Sequence, residues 1–268
     1  MHLEKRLITQ INSNMSESKY HPEKYWSEVA SLINQRGESN VIAGDDEPFY
    51  WYKRVKFLKL LKTVNFANKI VLEVGCGPGG NLIEISQLGP KKLVGADISN
   101  DMVELARKNV PPSIDIFKTN GTVLPFENTS FDIIITATVL QHNTDETMLI
   151  SLIKELCRVS NEKVVVFERI ENNILGDDLC IGRPIGYYSK IFKDFGFKLV
   201  DSEFINIRVS YYVCGIIRKV FNSSKRKEGE PLNQFSVYLQ KFTLIITRPL
   251  DRIFKSNKDL AKLTFERE

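Results

Sequence analysis

Apolar residues recur along this chain in two rhythms. Short, nearly unbroken runs at Ile70–Val74, Leu93–Ala96, Phe131–Thr136 and Lys163–Glu168 read as strands buried on both faces, the habit of a parallel sheet. Between them the period lengthens to that of amphipathic helices, over His21–Asn34, Tyr50–Val64, Asn81–Leu88, Ser99–Asn109, Thr144–Val159 and Tyr188–Phe195. The flanks of the runs extend the second strand to Lys91–Ile98 and set a third at Ser113–Lys118 and a sixth at Phe197–Ile207. Phe235–Phe254 reads as a long helix kinked or restarted at Pro249, and Leu260–Glu268 alternates as a final strand. Strands alternating with helices predict an α/β fold, an open and mostly parallel sheet with helices on both faces.

The densest chemistry follows the first run. In IVLEVGCGPGG, Gly75, Gly77, Gly79 and Gly80 crowd into six positions after Glu73. A buried strand turning through glycines into a helix brings bare backbone close to a ligand. Pro78 is expected as a first helical residue, since its missing N–H needs no partner. Gly75, Gly77 and Gly80 spell GxGxxG, the pattern that seats a pyrophosphate on a helix N-terminus. Gly75, Gly77 and Gly79 spell GxGxG equally well. Asp97, closing KKLVGADIS, can accept from two ribose hydroxyls under either reading. The loop alone does not choose.

Thr119–Val139, TNGTVLPFENTSFDIIITATV, breaks the tie. With Glu73 and GxGxG it resembles the class I S-adenosylmethionine-dependent methyltransferases, in particular the small-molecule members. The resemblance runs from about Tyr20 to Phe197. It implies a Rossmann-like, doubly wound seven-stranded sheet whose last strand inserts antiparallel between the fifth and sixth. It implies S-adenosyl-L-methionine as cofactor and S-adenosyl-L-homocysteine as product. By resemblance the cofactor contacts are Glu73, Gly75, Cys76, Gly77, Gly79 and Asn81 at the loop, with Asp97 and Ile98 at the ribose. Met102, Asn120 and Gly121 fall at the adenine, and Thr136, Ala137 and Thr138 at the end of the fourth strand. The family usually has Asp where Asn120 stands; the Asn120 carbonyl can accept the same hydrogen bond without a charge. Arg54 lies where related O-methyltransferases pair an arginine with the methionine carboxylate, a bidentate match.

Composition changes this picture little. The 268 residues, 43% of them hydrophobic, suffice for one large core with a small appendage. Residues 1–19 are expected as a flexible N-terminus, and 20–268 as one domain with an N-terminal helical lid (20–64) and a cap insertion (209–256). Net charge is +4, from 37 basic and 33 acidic residues, so no nucleic-acid partner is expected. Cys76, Cys157, Cys180 and Cys214 show no metal-ligand spacing with the three histidines, which points to a reduced, cytoplasmic setting. Met1–Gln10 lacks the apolar core of a signal peptide, and no run reaches the roughly 18 apolar residues of a membrane span.

The acceptor side rests on fewer residues. Gln141 and His142 follow the fourth strand, where open α/β sheets bind ligands. A neutral imidazole at His142 can take the proton of an acceptor hydroxyl; its structural alternative is to cap the next helix. Tyr25 and Trp26 either border the pocket as part of a lid or pack as core. Arg183, Tyr211 and Tyr212 are assigned to substrate, and Ile216, Phe235 and Tyr238 are expected to line the same pocket from the cap or else to cover the sheet. The fourth strand does not end in the (N/D)PP(Y/F) sequence of base-amine methylation and lacks a Pro-Cys nucleophile. An O-methyltransferase acting on a small-molecule, glycan or lipid-linked acceptor is the expectation. Two alternatives stay open: a non-catalytic member that binds cofactor to regulate a partner, and, more remotely, an NAD(P)-dependent oxidoreductase.

Overall fold

The computed structural model describes residues 21–37, 40–43, 47–226 and 230–268. The segment expected to be flexible, 1–19, lies outside them, as do Gly44, Asp45 and Asp46 and positions 227–229 of the expected cap insertion.

Two helices come first, α1 (Pro22–Gln35) and α2 (Pro48–Leu61), each opened by a proline whose missing N–H costs the first turn nothing. The sheet then builds by alternation: β1 (Ile70–Val74), α3 (Gly80–Ser86), β2 (Lys92–Asp97), α4 (Asn100–Asn109), β3 (Asp115–Lys118) and β4 (Phe131–Ala137). After α5 (Glu146–Val159) and β5 (Ser160–Ile170) come a two-stranded ribbon, β6 (Leu175–Gly176) with β7 (Ile181–Gly182), and then α6 (Ile185–Asp194) and β8 (Phe197–Phe204). A helical hairpin, α7 (Arg208–Phe221) and α8 (Gln234–Ile253), precedes β9 (Asp259–Arg267).

The seven-stranded sheet has the order β3-β2-β1-β4-β5-β9-β8. β9 runs antiparallel to both β5 and β8, slotted between them as the resemblance implied. Val74 pairs with Ala96 on one side and Thr136 on the other, so the carboxyl ends of β1, β2 and β4 finish level. That level rim is where a ligand meets the sheet. Each face is covered. Leu82, Ile85, Val103 and Ala106 pack on one side with α2, and Leu149, Ile153, Leu156 and Phe192 on the other.

Several expectations shift. Pro78 sits in the turn rather than the helix: Gly77 and Gly79 both have positive φ, so helical geometry starts only at Gly80. The sixth strand stops at Phe204, and the expected cap opens with helix α7. α8 runs through Pro249 without interruption. Asp145, not His142, caps α5, accepting from Met148 N at 2.9 Å. Ser99 caps α4 as expected, its Oγ accepting from Met102 N.

Candidate functional site

Beyond the level rim lies a cavity of about 580 Å³ walled by the glycine loop, α1, α2 and the segment after β4. The glycines make it possible. Gly75 holds φ 75°, and a side chain there would collide with Val139. Gly77, at φ 51°, meets only Ala43 and leaves its face open to the cavity. Its N–H donates to Asp97 Oδ2 at 2.9 Å, while Ser99 N donates to Oδ1 at 2.9 Å. Asp97 is thus locked at the end of β2 facing the cavity. Burial pushes its carboxyl above the usual range, and the backbone donors of Ser99, Gly77 and Ile98 oppose that.

Behind the loop runs a polar chain. Arg54, on α2, donates to Asn81 Oδ1, and Asn81 Nδ2 donates to Glu73 Oε1 at 2.6 Å. Glu73 is fully buried, and its Oε2 has no hydrogen-bond partner among the described residues. Burial lifts its carboxyl to about 8 against the opposing pull of Asn81 and Arg54. Glu73 itself does not line the cavity: it orients Asn81, which does so beside Arg54 and a glycine turn that admits bare backbone only. Ile98, Met102 and Gly121 supply apolar wall and close approach further along. These residues fit S-adenosylmethionine.

The opposite wall is set by a carboxylate the sequence placed only near the rim. Glu168, at the end of β5, accepts from the backbone N–H groups of Val139, Leu140 and Gln141, each at 3.0 Å. It thereby holds the 3₁₀ turn Leu140–His142. Burial raises Glu168 to about 7. Gln141 Oε1 accepts from Arg169 N, which turns its amide nitrogen toward His142 Nε2 at 3.2 Å. His142 Nδ1 lies 2.7 Å from the carbonyl oxygen of Leu179. A carbonyl only accepts, so Nδ1 carries the proton and Nε2 keeps its lone pair. Trp26 meets the His142 ring edge to face at 5.2 Å.

Most expected cofactor residues converge. Arg54, Gly75, Cys76, Gly77, Asn81, Asp97, Ile98, Met102, Gly121, Ala137 and Thr138 line the cavity, with His142. So do Tyr25 and Trp26, while the rest of α1 packs through Val29, Ala30 and Ile33 on Met102. Gly79 caps α3, behind the wall. The rest need correction. Asn120 does not face the cavity: its Oδ1 already accepts from Thr122 N, Thr122 Oγ1 and Val123 N, closing a local turn. Thr136 is buried beneath the rim, 3.4 Å from Glu168. Arg183 is 0% exposed, gripping Glu146 and the carbonyls of Leu140 and Asn143. It braces the His142 turn from behind and cannot reach an acceptor. Tyr212, Ile216, Phe235 and Tyr238 neither line the cavity nor cover the sheet; they face outward, while Tyr211, also outside the cavity lining, meets the buried ring of Phe49 at 6.3 Å.

What the sequence reading missed lies on the acceptor side. Val41–Ala43 straps the loop, its carbonyl at Val41 packed where a side chain on Gly80 would sit. Lys53, paired with Asp259 at 3.1 Å, and Arg218, stacked over Tyr50 at 5.0 Å, line the outer part with Arg226 and Cys180. Nothing in the local pattern marked them, because they come from segments far apart along the chain.

A mostly parallel sheet with one antiparallel strand slotted before its edge, a glycine loop after β1 and an acid ending β2 together make the class I S-adenosylmethionine-dependent methyltransferase fold. Residues 71–163 match the family model of a methyltransferase domain. It is 26% identical over 152 residues to a demethylmenaquinone methyltransferase of Lactococcus lactis, covering 54% of this chain and 58% of the relative. It is 32% identical over 145 residues to a tRNA U34 carboxymethyltransferase of Campylobacter fetus, covering 53% and 50%. The chain thus spans about half the length of the curated relatives it matches. Among solved structures, magnesium protoporphyrin IX methyltransferase of Synechocystis with bound S-adenosylmethionine superposes with a TM-score of 0.59 at 14% identity, over 95% of this chain and 99% of the other. A cyclase superposes with a TM-score of 0.60 at 17% identity, over 91% and 94%. The fold is therefore shared by proteins with different chemistry, and the nicotinamide alternative gains no support.

Proposed function

We propose that the protein transfers a methyl group from S-adenosylmethionine to a hydroxyl oxygen of a small or lipid-linked acceptor. The observation that carries the oxygen assignment is His142, which lines the cavity: its Nδ1 proton is committed to the Leu179 carbonyl, so Nε2 is the basic nitrogen. Bound at the glycine loop, the cofactor would supply a methyl already activated on sulfur. Asp97 would accept from its ribose hydroxyls, and Arg54 would face the carboxylate of its amino-acid end, with Asn81 beside it held by Glu73. An acceptor hydroxyl held between that methyl and His142 would give up its proton to Nε2. Gln141 holds that lone pair at 3.2 Å, the long end of hydrogen-bond distance, and gives way to the hydroxyl. Trp26 and the Val41–Ala43 strap keep water from the site.

The relatives do not choose the acceptor, since one is named for a menaquinone precursor and another for a tRNA uridine. The deciding experiment incubates the protein with methyl-labelled S-adenosylmethionine and, in parallel, a lipid extract, a soluble metabolite extract and total tRNA. Label on an oxygen of a lipid or metabolite product, lost in His142→Ala while calorimetry still shows cofactor binding, is the expected result. Label in tRNA sinks the acceptor assignment. Cofactor binding with no labelled product in any arm returns the chain to a non-catalytic role. Asp97→Ala should weaken cofactor binding about tenfold or more, from loss of a charge-assisted hydrogen bond of about 1.5–3 kcal/mol.

A further inference from the structure

The α7–α8 hairpin is built inside out. The face of α8 turned to the protein carries Ser236, Gln240, Leu244, Thr247 and Asp251, all buried and four of them polar. Its outward face carries Phe235, Tyr238, Phe242, Ile245, Ile246 and Ile253, all more than half exposed. α7 repeats this with Tyr212, Ile216 and Val220 outward at helical spacing. The buried polar side chains are satisfied: Asp251 accepts from Val209 N, Ser210 N and Ser210 Oγ, and Gln240 binds Phe49 N and Glu47. The hairpin is therefore a specified fold element, and its apolar stripe is left outward. A contiguous exposed patch of this length marks a surface for something else.

Charge identifies that partner. α7 contains no acidic residue, and the only one in α8 is the fully buried Asp251. Residues 208–258 hold 11 basic and 3 acidic residues, a net +8 in a chain whose total is +4. Lys219, Lys241, Arg248 and Arg252 are exposed on the two helices. Between α2 and α8 a groove of about 290 Å³ gathers Lys56, Lys59, Arg248 and Arg252 around Tyr52. None of these four cations is in an ion pair with a described carboxylate, and no carboxylate lines the groove. Lys56 and Arg248 instead lie against the Tyr52 ring, at 5.6 and 4.9 Å. Trp51, half exposed, lines both this groove and the large cavity.

We propose that the outer face of the hairpin, together with this groove, docks on a membrane surface rich in anionic phospholipid. Bulky apolar side chains along two helices enter the boundary between headgroups and acyl chains, while flanking lysines and arginines meet phosphates. The groove takes a phosphodiester. α8 is 20 residues long, and no described helix is long and apolar enough to cross a bilayer, so the hairpin lies along the surface. A second copy of this chain fits the face poorly, because a two-fold contact would set Lys241, Arg248 and Arg252 against a like-charged surface. Docked this way, Trp51 brings the wall of the large cavity to the lipid surface. The inference does not depend on which acceptor is methylated.

The test is flotation of the full chain with vesicles, without cofactor or acceptor. Binding to mixed phosphatidylcholine–phosphatidylglycerol vesicles, absent with phosphatidylcholine alone and weakened by salt, is expected. The double variant Ile245→Glu/Ile253→Glu should lower partitioning tenfold or more while keeping the wild-type circular dichroism and melting temperature. Quenching of Trp51 fluorescence by brominated lipid reads the same contact in the unmodified protein, with Trp51→Phe as the control that removes the signal. Failure to float with anionic vesicles overturns the proposal, as does flotation that the double variant leaves unchanged. A stable dimer in ultracentrifugation that this variant disperses would assign the face to a second copy instead.

Discussion

Helices α5 and α8 are both amphipathic, and they face opposite ways. α5 turns Leu149, Leu152, Ile153 and Leu156 onto the sheet and leaves its polar side in solvent. α8 turns Ser236, Gln240, Thr247 and Asp251 inward and leaves aromatic and aliphatic side chains outside. Both obey the same period. A helical pattern therefore announces that a segment has two faces without saying which one meets the protein. In α5 hydrophobic burial sets the orientation. In α8 it is set by hydrogen bonds that Asp251 accepts from the start of α7 and Gln240 from the start of α2.

Substitutions on the two helices sharpen this contrast. Leu156→Ala, in the packed core beneath α5, should cost about 2–5 kcal/mol, read from denaturant midpoints. Asp251→Ala strands three donors and should cost about 3 kcal/mol, an apolar-core magnitude from a carboxylate. If it costs no more than a surface change, hydrogen bonds do not orient the hairpin.

A third measurement contrasts Asp251 with the buried carboxyl at the glycine loop. Burial lifts Glu73 from 4.5 to about 8, so between those values the folded protein holds a proton that the unfolded chain has released. Stability of the cofactor-free protein should therefore fall as pH rises through that window and level off above it. Glu168, raised to about 7, acts in the same direction. Glu73→Gln should remove up to about 1.4 kcal/mol per pH unit of that slope, followed as melting temperature from pH 5 to 8. An unchanged slope would mean Glu73 is ionised throughout. The smallest effect belongs to Ile245→Ser, whose side chain is 70% exposed: stability should change by no more than about 0.5 kcal/mol. A loss above 1.5 kcal/mol, in the range of a buried aliphatic, would show that the outward stripe is covered in solution.

The residues legible in advance were those whose role is local. Gly75 and Gly77 announce positive φ, Ser99 a helix cap, and Asp97 the end of a buried strand, because each is fixed by its neighbours in the chain. The antiparallel place of β9 came from family resemblance, and the pairing of Val166 with Leu263 and of Leu263 with Ser202 agrees with it. Asn120 was misassigned because its carbonyl is spent on amides two and three residues on, a short-range competitor. Arg183 and Glu168 hold the His142 turn from 43 and 27 residues away along the chain, separations over which a sequence carries no distance. The strands, the glycine loop and the acid beside it were written in the local order of residues, since hydrophobic period and backbone sterics act over a few positions. That Arg183 braces instead of binds, that His142 carries its proton on Nδ1, and that α8 shows its apolar side to the outside came from the folded arrangement. Each of those depends on which distant polar group arrives to satisfy a buried donor or acceptor, and that is settled by packing.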